Sequence, residues 1–243
     1  MGWIKVVGIG PGDARDMTKR AVVALQECDT VIGYITYLKL IKPMVEGKET
    51  ASSGMRQEVD RCQKALELAK EGKKVCVVSS GDPGIYGMAG LLLELSEKEG
   101  TKFDVEIIPG MSAINSAAGL LGAPLMHDFA VISLSDHLTC WEVIEQRLDR
   151  ASEADFVIAL YNPKSRERKE HLGRALQIIA KHKELSTPVG IVKNASREGE
   201  SVIITTLMDV EKYDIDMTTI VIIGNKNTFT KKGKMITPRG YAL

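Results

Sequence analysis

The feature that most constrains this chain is a repeated alternation of short, solid runs of Val and Ile with longer amphipathic stretches. The apolar runs cover 4–8, 30–33, 74–79, 104–108, 129–134, 156–161, 188–193, 201–205 and 219–224. Most are continuous rather than alternating apolar and polar, which predicts strands buried on both faces. Helical periodicity fills the intervals at about 18–27, 57–71, 85–99, 112–121, 141–151 and 166–182. Strand and helix in alternation predict an α/β fold. The short gap between 201–205 and 219–224 predicts an antiparallel element late in the chain. A length of 243 residues suits two modest domains. Ala123-Pro124 interrupts a helical pattern, because proline disfavours helix at the residue before it, and the strand pattern restarts at Phe129. The predicted domains are therefore 1–125 and 126–243, each α/β.

Composition excludes several function classes. The 32 basic and 32 acidic side chains cancel, and no basic stripe of the kind a nucleic-acid binder presents is visible. Lysines and arginines sit among acids, as in Glu94-Leu95-Ser96-Glu97-Lys98-Glu99, which reads as a solvated helix face. Cys28, Cys62, Cys76 and Cys140 are widely spaced, with no Cys-x-x-Cys pair and no histidine cluster nearby. That pattern predicts reduced cysteines in a cytoplasmic protein, not a zinc site or a disulfide framework. The start, Met1-Gly2-Trp3-Ile4-Lys5, lacks the basic-then-apolar layout of a signal peptide. Val6 breaks the myristoylation pattern after Gly2. No apolar run is long enough to span a bilayer, so no membrane role is expected.

Three glycine-rich loops follow predicted strands. The first is Gly8-Ile9-Gly10-Pro11-Gly12-Asp13. Pro presets φ for a turn and Gly takes the positive φ after it. A dinucleotide fingerprint fails here, because Asp13 stands where its third glycine belongs and no acid ends the second strand to hold a ribose. A phosphate-binding Walker loop fails too, as no Gly-Lys-Ser/Thr follows. Alone, the motif fits a plain β-to-α turn equally well. The second loop is Ser79-Ser80-Gly81-Asp82-Pro83-Gly84-Ile85-Tyr86-Gly87. Asp82 reads either as a cap for a helix starting near Ile85 or as part of a pocket whose exposed backbone suits an adenosine or methionine moiety. The third is Pro109-Gly110-Met111-Ser112-Ala113, with Ser112 a natural N-cap. Ligands of open α/β sheets bind outside the carboxyl ends of the strands, so the loops point to one crevice.

Together with Tyr161-Asn162-Pro163 and Lys193-Asn194-Ala195, these loops make the chain resemble the tetrapyrrole (corrin/porphyrin) methylase family over essentially its whole length. The likeness is greatest to the branch that methylates C17 of precorrin-3B or cobalt-factor III. It rests on Gly33-Tyr34-Ile35-Thr36-Tyr37, on the segment from His127 through Asp128 and Phe129 to Asp136, on Ala159 through Arg166, and on Met235-Ile236-Thr237-Pro238-Arg239-Gly240-Tyr241. One departure is visible: Leu138-Thr139-Cys140-Trp141 stands where the branch pattern has Leu-Thr-Pro-Trp. A change of helix capping is expected from it, not of chemistry.

The resemblance implies two α/β domains with the active site in the cleft between them, a homodimer, and S-adenosyl-L-methionine as methyl donor, released as S-adenosyl-L-homocysteine. It implies donor contacts at Pro11, Ser80, Gly81, Asp82, Ile85, Tyr86, Ser112, Ala113, Tyr161, Asn162, Asn194 and Ala195, many through backbone. The implied reaction is methyl transfer to C17 of a cobalamin-precursor tetrapyrrole with ring contraction, with or without cobalt in the macrocycle, and without a metal held by the protein. Contraction moves protons, which makes His127, Asp128, Asp136 and His137 candidates; His127 and Asp128 also read as linker residues and Asp136 as a helix cap. The carboxylate arms of the substrate call for basic partners at Arg56, Lys164, Arg166, Lys193 and Arg197. Arg168 is a further candidate for such an arm, and reads also, and more readily, as solvated surface charge. Tyr34 and Tyr37 read either as stacking on the macrocycle or as a turn-flanking pair that only packs. The alternatives are methylation at another carbon such as C11 or C20, a donor-binding regulator without turnover, and a nicotinamide-dependent oxidoreductase.

Overall fold

A computed structural model of the protein describes residues 2–54 and 57–242. The chain divides into two compact units, Met1–Ala113 and Ile114–Leu243.

In the first unit the order is β1 (Trp3–Gly8), α1 (Lys19–Glu27), β2 (Thr30–Tyr34), α2 (Ile35–Leu40), β3 (Glu49–Ser53), α3 (Glu58–Lys70), β4 (Lys74–Ser79), α4 (Ala89–Lys98) and β5 (Val105–Ile108). All five strands run parallel in the order β3-β2-β4-β1-β5. The strand period of two sorts each run onto two faces. Ile4, Val6, Val75 and Val77 pack with Cys62, Leu66 and Leu92 of α3 and α4. Val7, Cys76 and Val78 pack on the other face with Ala21, Ala24 and Leu25 of α1. That double burial is why the strands read as solid apolar runs. Thr18 starts α1, its hydroxyl accepting from the Ala21 N–H at 3.1 Å.

The second unit contains most of α5 (Ala113–Leu121), then β6 (Gly122–Ala123), β7 (Phe129–Ser133), α6 (Trp141–Glu153), β8 (Val157–Tyr161), α7 (His171–Ile179), β9 (Pro188–Lys193), β10 (Ser201–Thr206), β11 (Thr219–Ile223), β12 (Phe229–Lys231) and β13 (Lys234–Ile236). Its main sheet has the order β10-β9-β11-β8-β7. β7 and β8 are parallel, while β11 is antiparallel to both β8 and β9. The carboxyl ends of β7, β8 and β9 therefore lie at one sheet edge. The late antiparallel element is present, but β10 and β11 flank β9 instead of pairing with each other. α6 and α7 cover one face through Trp141, Ile144, Leu148, Leu172, Leu176 and Ile179.

The division between the units lies at Ala113/Ile114, earlier than the 125/126 boundary read from Pro124. The reason is α5: Leu121 packs so closely on β9 that a side chain at Gly190 would collide with it. Two helices begin later than the periodicity suggests. α4 starts at Ala89 because 82–88 are taken up by turns, with Tyr86 at a positive φ of 52°. α7 starts at His171, after a turn in which the Arg168 carbonyl accepts from the Ser165 N–H. Cys140, where the branch pattern has Pro, is the N-cap of α6 and makes no side-chain capping bond.

Candidate functional site

In the first unit, β4, β1 and β5 are neighbours, so the loops that follow them emerge side by side. The loops are joined backbone to backbone. Gly10 and Gly81 form an antiparallel bridge, Gly81 N–H donating to the Gly10 carbonyl at 2.7 Å and Gly10 N–H to the Gly81 carbonyl at 3.2 Å. The spacing tolerates no side chain: a Cβ on Gly8 would stand 2.6 Å from Gly110 N, and one on Gly110 would overlap the Gly81 carbonyl oxygen. Asp82 braces the set. One carboxylate oxygen accepts from Gly84 N–H at 2.8 Å, and the other from Gly110 N–H at 3.1 Å. Asp82 is thus a tie between loops and not a cap for a helix at Ile85. Ile85 and Tyr86 are exposed, at 40% and 57%. Ser112 is buried next to Ala113 at the start of α5. The Ser79 hydroxyl, where β4 ends, is buried without a hydrogen-bond partner.

In the second unit, the corresponding edge is built from side chains. The Tyr161 hydroxyl, at the end of β8, accepts from Ile114 N–H at 3.0 Å. The Asn162 side-chain amide donates to the Ser133 hydroxyl at 2.9 Å, and that hydroxyl also accepts from Ser135 N–H. Asn162 and Asn194 both have positive φ, at 51° and 52°, a conformation asparagine tolerates better than most residues. Asn194 and Ala195 begin the turn after β9, where the Asn194 carbonyl accepts from Arg197 N–H. The same turn is tied to α5 by a Ser116–Ser196 hydroxyl contact of 3.0 Å.

The proton-transfer candidates do not converge. Asp136 follows β7, on the edge that carries Tyr161 and Asn162. His127 and Asp128 precede β7 and line a cavity of about 290 Å³ with Asp155, Phe156, Asn225 and Lys226. At a strand rise of ~3.3 Å per residue that is roughly 20 Å from the Asp136 end. Asp136 is held by His171, Nε2 to Oδ2 2.8 Å. This hydrogen bond is the main reason its carboxyl lies below the usual aspartate value.

The basic candidates also separate. Lys193 is taken by Asp214 at 2.6 Å and Asp216 at 2.8 Å, and these carboxylates hold its ammonium above the ordinary lysine range. Lys164 is half-buried, Arg166 is exposed, and Arg197 lies in the 194–200 turn. Arg56 lies outside the described residues. Tyr34 and Tyr37 pack on each other edge to face, with centroids 5.3 Å apart. His171 escaped sequence reasoning because the predicted helix over 166–182 placed it inside a helix; it is the first residue of α7. Among the described residues, no group of three or more His, Cys, Asp and Glu is placed to hold a metal. No described helix is long and apolar enough to cross a membrane.

The first unit thus carries a parallel sheet with bridged glycine loops, and the second a mixed sheet whose strand-end loops are held by side chains. Residues 4–211 match the model of the Tetrapyrrole (Corrin/Porphyrin) Methylases, and the chain belongs to that family. Within it, the chain is 53% identical to a protein of Salmonella typhimurium named probable cobalt-factor III C(17)-methyltransferase, over 99% of this chain and all of that relative. It is 41% identical to the precorrin-3B C(17)-methyltransferase of a Sinorhizobium species, over 99% of this chain and 98% of the relative. The solved structure of the methyltransferase CobJ superposes with a TM-score of 0.93 at 38% identity, covering 98% of this chain and 100% of that one.

Proposed function

We propose that the protein is an S-adenosylmethionine-dependent methyltransferase that methylates C17 of a cobalamin-precursor tetrapyrrole, cobalt-factor III or precorrin-3B, with ring contraction. The observation that carries this reading is the end-to-end likeness to relatives named for that reaction. The geometry supports the donor. Glycine loops packed backbone to backbone, as those of Gly8, Gly81 and Gly110 are, form a fixed wall for a ligand bound mainly through backbone. The unpartnered Ser79 hydroxyl supplies a further polar group beside it. In this proposal Pro11, Ser80, Gly81, Asp82, Ile85, Tyr86, Ser112 and Ala113 of the first unit and Tyr161, Asn162, Asn194 and Ala195 of the second hold one donor in a cleft.

Bound S-adenosylmethionine supplies an electrophilic methyl group. The chain's own task is alignment in near-attack geometry. Asp136 is the proton-transfer candidate on the Tyr161 edge. His127 and Asp128 lie at the other end of β7. The proposal includes a cytoplasmic homodimer. Incubation with S-adenosylmethionine and cobalt-factor III or precorrin-3B should yield S-adenosylhomocysteine and a macrocycle whose new methyl is assigned to C17 by NMR. A methyl at C11 or C20 would overturn the regiochemistry, and donor binding without turnover would overturn the enzyme reading.

A further inference from the structure

Two buried polar atoms without a partner fall in one short stretch of the second unit. They are Arg168 Nε, in the segment after β8, and His171 Nδ1, at the start of α7. Asp136, from the segment after β7, reaches the same place. Its carboxylate is bonded to His171 Nε2 at 2.8 Å and lies within the field of Arg168. β7 and β8 are parallel, so both segments leave the same sheet edge, the one that carries Tyr161 and Asn162.

His171 is held from behind. Its ring meets Trp141 edge to face with centroids 4.6 Å apart. The indole N–H donates to Glu145 at 2.6 Å, and Arg174 both stacks on the indole at 4.4 Å and donates to Glu145 at 3.0 Å. With the imidazole fixed, Asp136 is engaged by histidine and makes no hydrogen bond to Arg168. The Arg168 Nε–H is desolvated and has no acceptor, while the side chain as a whole is only half-buried, so its charge is there for a carboxylate that arrives at the exposed part of the guanidinium. Arginine presents a planar fork that suits such a group better than an ammonium does.

We propose that Arg168 binds a carboxylate arm of the tetrapyrrole, and that His171 is the positioning residue that keeps it available by holding Asp136 away from it. The inference rests on the tetrapyrrole reading given above. It also separates Arg168 from Lys193, whose ammonium is already occupied by Asp214 and Asp216.

The test is binding of uroporphyrin III, an unreactive porphyrin with carboxylate arms, followed by fluorescence quenching, with thermal melting of each variant to report folding. Arg168→Ala should weaken binding about tenfold, and Arg168→Lys should recover only part of that loss. His171→Ala should weaken binding too, because the freed Asp136 captures Arg168. The double variant His171→Ala/Asp136→Asn should bind as the wild type does, since no carboxylate is left to compete. A purely structural role for His171 predicts no such restoration. Unchanged binding by Arg168→Ala and Arg168→Lys, with the wild type binding normally, would overturn the Arg168 assignment alone. Failure of the double variant to recover would overturn the role of His171. A wild type that does not bind the porphyrin would overturn the tetrapyrrole reading and this inference with it.

Discussion

The two units build their strand-end loops by opposite means. In the first unit the loops after β1, β4 and β5 are joined through backbone, with the Asp82 carboxylate bracing them from a side chain. In the second unit the loops after β7, β8 and β9 are joined through side chains: Tyr161 to Ile114, Asn162 to Ser133, Ser196 to Ser116, and Asp136 to His171. The backbone design fixes shape by steric exclusion, because Gly8 and Gly110 stand where nothing larger fits. The side-chain design fixes shape by hydrogen bonds worth about 1 kcal/mol each. The first should fail abruptly on substitution, and the second by degrees.

The sharpest way to break that contrast is Gly110→Ala. The new methyl would overlap the Gly81 carbonyl and crowd Gly8, and none of these atoms is the free end of a flexible side chain. A destabilisation of about 3 kcal/mol is expected, the upper range for forcing atoms into a packed region. It should appear as a melting point lowered by roughly 6–12 °C, with loss of donor binding in calorimetry. A variant that melts like the wild type would mean the loops separate easily, and the contrast would not hold. Asp82→Asn should come next. It removes a charged acceptor from two backbone N–H groups and should cost about 1.5 kcal/mol, with weaker donor binding. Tyr161→Phe in the second unit should cost only about 1 kcal/mol. Its signature is local: faster amide exchange at Ile114, whose N–H loses its acceptor.

The same contrast explains what the sequence reveals. Glycine loops after apolar runs are contiguous in the chain, so the Gly8, Gly81 and Gly110 segments can be read one at a time and then grouped by the strand-end rule. The solid Val and Ile runs likewise announce the doubly covered sheet. Strand β3, Glu49-Thr50-Ala51-Ser52-Ser53, is not legible, because an edge strand of polar and small residues carries no apolar signal. β12 and β13 hide for a similar reason: each has only three residues, among lysines and threonines. The side-chain ties of the second unit join residues such as Ser133 and Asn162 that only the parallel register of β7 and β8 brings together. The partners of the basic residues are the least legible. Lys193 has its partners in Asp214 and Asp216, more than a full strand away, and the exposure of Arg168 depends on where α7 begins. Hydrophobic periodicity carries information about neither.

The smallest effect belongs to pH, and it sharpens the comparison because it touches the second unit's edge alone. The His171 hydrogen bond lowers the Asp136 carboxyl from its ordinary value. A group whose folded value is depressed binds fewer protons folded than unfolded, so its contribution to stability is present above the unfolded value. That contribution is lost as pH falls through the folded one. The unfolded value for aspartate is about 3.9. The melting-point difference between wild type and Asp136→Asn should therefore be constant above about pH 5 and shrink progressively below pH 4. Asp136 is 38% exposed, so solvent screening keeps the difference small. A difference for Asp136→Asn that stays constant down to strongly acid pH would mean that the His171 bond does not favour the ionised carboxylate, and that the imidazole cannot be what keeps Asp136 from Arg168.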